Sequence, residues 1–147
     1  MRNYAMGVTV VTTQGLAGCP YGVTVTAFTS LSLDPLMVLV CLDQKLSGLE
    51  LFEDFGRMGV NILAEGQEDA SVFFSRPSTD RTEFDYVQGE NGLPLLADCL
   101  AWLECDIVQS YPGGDHKILV GRVTNAVLRS DRKPLLYYDG AYARLAD

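Results

Sequence analysis

Along most of this chain apolar and polar residues alternate with a period of two, the spacing of half-buried β-strands rather than helices. Gly7-Val-Thr-Val-Val-Thr-Thr13 is β-branched and ends near Gly15 and Gly18. Residues 22–30 alternate, which puts Val23, Val25 and Ala27 on one face and Thr24, Thr26 and Phe28 on the other. Between these strands, residues 15–21 have hairpin-loop chemistry. Pro35 opens the apolar run Leu36-Met-Val-Leu-Val-Cys-Leu42, expected to be a central strand buried on both faces.

The period changes twice. Leu49, Phe52 and Phe55 recur at helical spacing, so a short helix is predicted over residues 48–55, with Ser47 as its cap and Gly56 as its stop. A second is predicted over residues 67–74, with Ala70, Phe73 and Phe74 as its apolar side, and residues 58–63 between them read as a strand. Arg76 to Pro94 is polar and reads as a long surface excursion. Residues 101–107 alternate again, with Ala101, Leu103, Cys105 and Ile107 inward and Trp102, Glu104 and Asp106 opposite. Residues 112–115 make a turn, and residues 117–128 and 135–138 complete the strands. About seven strands with two short helices and no regular β-α-β alternation predict a mainly β, antiparallel barrel. With no repeat or linker in view, one domain is expected over residues 1–147.

Composition narrows the function. The 48% of hydrophobic residues is ample for a core and excludes intrinsic disorder. A formal net charge of −8 argues against a nucleic-acid binder, which needs a basic face to displace phosphate counterions. The longest apolar run falls far short of the roughly 20 residues that span a bilayer. No basic-then-apolar leader precedes it, so a cytoplasmic protein without membrane contact is expected. Cys19, Cys41, Cys99 and Cys105 form no C-x-x-C pair, and Cys41 and Cys105 read as small buried hydrophobes. His116 is the only histidine, which excludes a multi-imidazole zinc site; no metal is expected.

The common catalytic signatures are missing. There is no G-x-G-x-x-G after a strand, no phosphate-binding G-x-x-x-x-G-K-S/T and no G-x-S-x-G. Ser130-Asp-Arg-Lys133 matches S-x-x-K without its companion motifs. What stands out is the hydroxyl-rich stretch Thr24, Thr26, Thr29, Ser30 and Ser32. It fits an ordinary half-exposed strand, since Thr favours pleated surfaces. It fits equally a strand lining a pocket in which a few polar groups orient a mostly apolar ligand.

Five segments then follow one another in order: Gly7-Val-Thr-Val-Val-Thr-Thr13, Thr26-Ala-Phe-Thr-Ser-Leu-Ser-Leu-Asp-Pro35, Val60-Asn61, Gly114-Asp-His116 and Pro134-Leu-Leu-Tyr-Tyr138. Over residues 7–142 the chain resembles the short-chain flavin reductases, the reductase components of two-component flavin-dependent monooxygenases. The resemblance implies an FMN-binding split β-barrel, usually a homodimer. In it NADH or NADPH reduces FMN or FAD, and the reduced flavin serves a monooxygenase. It also accounts for the empty catalytic inventory, because the cofactors carry the hydride chemistry while the protein binds and orients them.

The resemblance further implies a site. The segment matching residues 24–32 runs along the isoalloxazine and ribityl chain, so Thr24, Val25, Thr26, Ala27, Phe28, Thr29 and Ser30 are expected to contact flavin, largely through backbone groups. Asp43, Gln44, Lys45 and Ser47 resemble the segment that reaches the flavin phosphate. Lys45 is a point charge suited to that task, and Ser47 with the amides opening the next helix suits an anion. Lys45 also fits a solvated loop lysine. Arg81 matches a position often held by Lys or Arg in an Asp-(Arg/Lys)-Phe motif, although here Thr82 follows and the Phe comes later, at Phe84. It suits a phosphate, the adenylate of FAD or a surface ion pair alike. His116 lies in the Gly-Asp-His motif associated with nicotinamide binding, and Tyr137, Tyr138, Asp139 and Gly140 match a C-terminal segment that approaches the same pocket. No residue is expected to act as a general base or nucleophile. The family's N-terminal helix is expected to be missing here, and its second proline after Asp34-Pro35 is Leu36. Two other classes stay open: a split-barrel protein that binds flavin, deazaflavin or haem without nicotinamide turnover, and an oxidase of pyridoxamine type, which wants a denser cation cluster than 11 Lys+Arg supply.

Overall fold

In the computed structural model, which describes residues 1–77 and 83–147, the sheet grows outward from the β-branched run near the N-terminus. Strand β1 (Met6–Gly7) is a short lead-in, and β2 (Thr9–Gln14) follows it. Val10 and Val11 are successive on β2, so they point to opposite faces, and each is fully buried in a different core cluster. A strand buried on both faces needs neighbours on both edges. These are β3 (Pro20–Val25) on one side and β6 (Arg57–Ile62) on the other, both antiparallel.

The chain between them forms β4 (Phe28–Leu33), β5 (Leu36–Asp43) and the helix α1 (Leu49–Phe55). After β6 come the helix α2 (Glu68–Phe74) and a small hairpin, β7 (Tyr86–Gln88) with β8 (Pro94–Leu96). Two long strands follow, β9 (Ala101–Gly113) and β10 (His116–Leu128). Last, β11 (Leu136–Tyr138) and β12 (Ala141–Ala143) form a three-stranded sheet with β1. The main sheet has seven antiparallel strands in the order β3-β2-β6-β9-β10-β5-β4. Its two end strands, β3 and β4, are consecutive in the chain, so the sheet curls on itself.

One cluster fills the inside of the curl: Val11, Val25, Val38, Val40, Leu42, Phe52, Met58, Val60, Cys105 and Leu119, with α1 contributing Phe52. The other lies under α2 and joins Val8, Val10 and Leu63 to Ala70, Phe74, Leu96, Cys99 and Leu135. Asn61 links the sheet to the β7–β8 hairpin. It is fully buried opposite Val10, its amide donates to Val10 O at 2.8 Å and to Thr12 Oγ1 at 3.0 Å, and its Oδ1 accepts from Leu96 N at 2.8 Å. Thr12 completes the tie by donating to Pro94 O at 2.6 Å. The hairpin is thus docked by side-chain polar groups, which must be paired once they are out of water.

Several expectations need correction. The strand expected over residues 22–30 breaks at Thr26–Ala27 into β3 and β4. The run 36–42 is buried on one face only: Val38, Val40 and Leu42 enter the core while Met37, Leu39 and Cys41, on the opposite face, stay half-exposed. Ser47 caps nothing; Gly48 holds the cap position of α1 without a side-chain bond, and Gly56 ends the helix at φ 74° as predicted. The excursion after Arg76 contains β7 and leads into β8, whose Pro94 is buried. Glu104, assigned to the polar face of its strand, is buried because the β7–β8 hairpin covers it; its carboxylate accepts from Glu90 N at 2.7 Å and Asn125 Nδ2 at 2.8 Å.

Asn61→Ala leaves the buried Leu96 N–H without its acceptor and opens a small void, so a loss of about 3 kcal/mol is expected, read as a lowered urea midpoint at unchanged m-value. Burial pushes the thiols of Cys99 and Cys105 up to about 12, while Cys19 is exposed. Since the thiolate is the reactive form, alkylation of native protein at pH 8 is expected to label Cys19 readily and to spare Cys99 and Cys105 until denaturant is added, as followed by mass spectrometry.

Candidate functional site

The break at Thr26–Ala27 makes the site. At this corner the chain leaves β2 and joins β5: Phe28 N donates back to Thr26 O at 2.9 Å, and Cys41 N donates to Ala27 O at 3.0 Å. Upstream of the corner, β3 pairs among the described residues only with β2, so its other backbone edge faces β5 without a ladder. A cleft of about 190 Å³ lies in that split. Val23, Thr24, Val25, Thr26 and Ala27 form one wall, and Cys41, Leu42, Asp43, Leu46 and His116 the other. Apolar walls beside an edge strand's alternating donors and acceptors suit a flat heteroaromatic ring that carries both.

The far rim is the turn between β9 and β10. Gly114 sits at φ 68°, a left-handed conformation that L side chains rarely adopt. Gln44, just past β5, clips this turn: its side-chain amide donates to Gly114 O and His116 O, each at 3.3 Å, and its backbone N–H donates to Asp115 O at 3.0 Å. His116 stands opposite Asp43 in the β5–β10 register, and its Nδ1 lies 2.7 Å from Asp115 Oδ1. Asp43 is engaged elsewhere, accepting from Lys45 N at 2.8 Å. The His116 hydrogen bond holds the exposed Asp115 carboxyl below the usual range.

The residues proposed from the sequence fall into distinct places. Thr24, Val25, Thr26, Ala27, Asp43 and His116 come together in the cleft. The Thr24 hydroxyl is committed to Ser71 O at 2.6 Å, so it holds α2 against β3. Val25 points into the core, and its carbonyl accepts from Thr9 Oγ1 at 2.6 Å. Phe28 lies on the other side of the corner, in a second hollow of about 250 Å³ shared with Thr26, Tyr4, Met6, Thr9 and Ile62. Thr29 and Ser30 are exposed on β4 and line neither hollow. Lys45 and Ser47 are exposed where the chain leaves β5, and the Lys45 ammonium has no ion pair among the described residues. Tyr137 pairs with Met6 and meets the Tyr142 ring at 5.5 Å. Tyr138, Asp139 and Gly140 continue that hairpin, where Asp139 N donates to Arg2 O at 2.8 Å; none of the four lines the cleft. Arg81 lies outside the described residues.

Sequence reasoning missed Val23, Cys41, Leu42 and Leu46 as cleft residues. Cys41 was within reach, because it shares the face of Asp43 two residues on. A hollow of about 530 Å³ is larger than either of these, but it lies between the start of α2, Phe84–Asp85 and the β8–β9 connection, away from His116 and the split. Its size does not make it the chemical centre, since carboxylates dominate its polar wall and, among the described residues, its one cation, Arg132, is already paired with Asp98.

Residues 1–146 match the family model described as a flavin reductase like domain. Over 95% of its length the chain is 43% identical to a probable flavin reductase of Rhizobium meliloti. Over the same share it is 40% identical to the reductase component of a flavin-dependent trigonelline monooxygenase of Acinetobacter baylyi. It spans only 45% of each of those two proteins. Its structure superimposes on an NADH:FAD oxidoreductase of Streptomyces globisporus with a TM-score of 0.92 and 36% identity, covering 99% of this chain and 89% of that one. The curled seven-stranded sheet, its split and the match over nearly every residue lead to one conclusion: the chain belongs to the flavin reductase-like family.

Proposed function

We propose that this protein is an NAD(P)H:flavin oxidoreductase that passes reduced FMN or FAD to a partner monooxygenase, and that residues 1–147 act as one split-barrel unit. One observation carries the reading. The chain's only imidazole stands in the cleft opened by the split, on a fold whose relatives include an NADH:FAD oxidoreductase and a monooxygenase reductase component.

When both cofactors are bound they supply the chemistry, a hydride passing from nicotinamide C4 to flavin N5. The chain's task is to hold and orient. The edge of β3 at Val23 to Val25 and the corner at Thr26 and Ala27 form one wall for the isoalloxazine, and Leu42 and Leu46 exclude water from the opposite wall. Lys45 and Ser47, on the loop leaving β5, are within the same end of the fold as the cleft and suit the flavin phosphate. His116 positions the nicotinamide. No described residue is required to take or give a proton in the hydride step.

The half-exposed Met37, Leu39, Cys41 and Ile118 share one sheet face, and this apolar face supports a homodimer. No helix among the described residues is long and apolar enough to cross a membrane. The compartment proposed is the cytoplasm.

The direct test is absorbance at 340 nm with NADH or NADPH and with FMN or FAD in turn. Loss of nicotinamide only when flavin is present, at many turnovers per protein, is expected. A bound chromophore with no response to either nicotinamide would leave a cofactor-binding barrel instead. His116→Ala is expected to raise KM for the nicotinamide about tenfold, the scale of one lost hydrogen bond, with little change in thermal midpoint because the ring is partly exposed. Added flavin is expected to slow alkylation of Cys41, which lines the cleft, without changing the rate at exposed Cys19. Equal rates at Cys41 with and without flavin would move the flavin out of the split.

A further inference from the structure

We propose that Asp115 is a positioning residue, which holds the His116 ring in the Nδ1–H form so that Nε2 meets the bound nicotinamide as a hydrogen-bond acceptor. The inference rests on the functional reading above and adds to it the chemical character of the ring. Asp115 Oδ1 lies 2.7 Å from His116 Nδ1. Asp115 is a solvent-exposed carboxylate, ionised at neutral pH, and can only accept. The proton of that hydrogen bond must therefore sit on Nδ1, and in the neutral imidazole Nε2 carries a lone pair. Among the described residues nothing else reaches Nε2, while His116 lines the cleft.

The surroundings favour Asp115 over any other group for this task. Asp43 faces His116 across the β5–β10 pair, but its carboxylate is taken by Lys45 N. The Asp115 backbone is held where it is by Gln44, which donates from its main chain to Asp115 O and from its side chain to the carbonyls on either side, Gly114 and His116. Adjacent residues on a clamped turn leave the carboxylate little freedom to abandon the ring, although it is otherwise solvent-exposed.

An acceptor at Nε2 selects a ligand with a donor to offer. A nicotinamide has one in its carboxamide NH₂. The 3-acetylpyridine analogue, with a methyl ketone in the same place, has none. The ring therefore contributes to choosing carboxamide dinucleotides, without taking part in proton transfer.

The single histidine makes the test unambiguous. Two-bond ¹H–¹⁵N correlation spectra of uniformly labelled, full-length protein at pH 8 are expected to show Nδ1 protonated and Nε2 bare, and Asp115→Ala is expected to shift the ring toward the Nε2–H form. The wild-type preference for NADH over reduced 3-acetylpyridine adenine dinucleotide, taken as a ratio of kcat/KM, is expected to fall about fivefold in Asp115→Ala, with the change carried mainly by KM. His116→Ala should lose the same preference, and the double variant should lose no more than either single change. A wild-type ring that is mainly Nε2–H overturns the proposal, as does an unchanged analogue ratio in Asp115→Ala. The Nδ1–H form in a protein that shows no flavin-dependent NADH oxidation overturns the functional reading itself, and the acceptor role falls with it.

Discussion

A β-strand that leaves one neighbour must find partners for its backbone within a few residues, and the segment from β3 to β4 does so at the opposite edge of the same sheet. Its first half pairs with β2 and its second half with β5, so one continuous stretch supplies both ends of a seven-stranded order. The transition takes two residues, Thr26 and Ala27, and β3 is left with an edge that no strand among the described residues covers. The cleft, the second hollow on the other side of the corner and the approach of β5 to β3 all follow from that geometry. An exposed strand edge is ordinarily a liability for aggregation. In this fold the edge forms one wall of a narrow cleft.

The rest of the molecule keeps that split open and in register. Val10 and Val11 bury β2 on both faces, which fixes the strand that β3 leans on. Thr24 ties β3 to Ser71 of α2, and Tyr142 reaches the same serine, its hydroxyl donating to Ser71 Oγ at 2.8 Å. The C-terminal hairpin therefore braces the cleft wall at one remove, even though Tyr137 to Gly140 do not enter the cleft. On the opposite wall Gln44 clamps the β9–β10 turn. The two walls are held by separate devices, one outside the curl and one at its rim.

Much of this was legible in the chain. Alternation located most of the strands, Gly56 ended its helix where expected, and the ordered motifs singled out Thr26 and His116. Local pattern failed where a distant element supplied the environment. Glu104 sits on a strand whose alternation called for a polar face, yet the β7–β8 hairpin, tied down by Asn61 and Thr12, buries it. Ser47 has the chemistry of a cap, but capping depends on backbone angles that its neighbours dictate, and Gly48 took the position.

What the sequence determined by itself is most of the strand content, because a period of two and a β-branched bias are properties of neighbouring positions. Which hydroxyls remain free, which carboxylate meets the imidazole and which face lacks cover were decided only by the tertiary structure. Thr24 gives its hydroxyl to a residue 47 positions away, and Gln44 clips a turn some 70 positions further on. No local pattern encodes such partners, since they are chosen by which strands the curl of the sheet brings side by side.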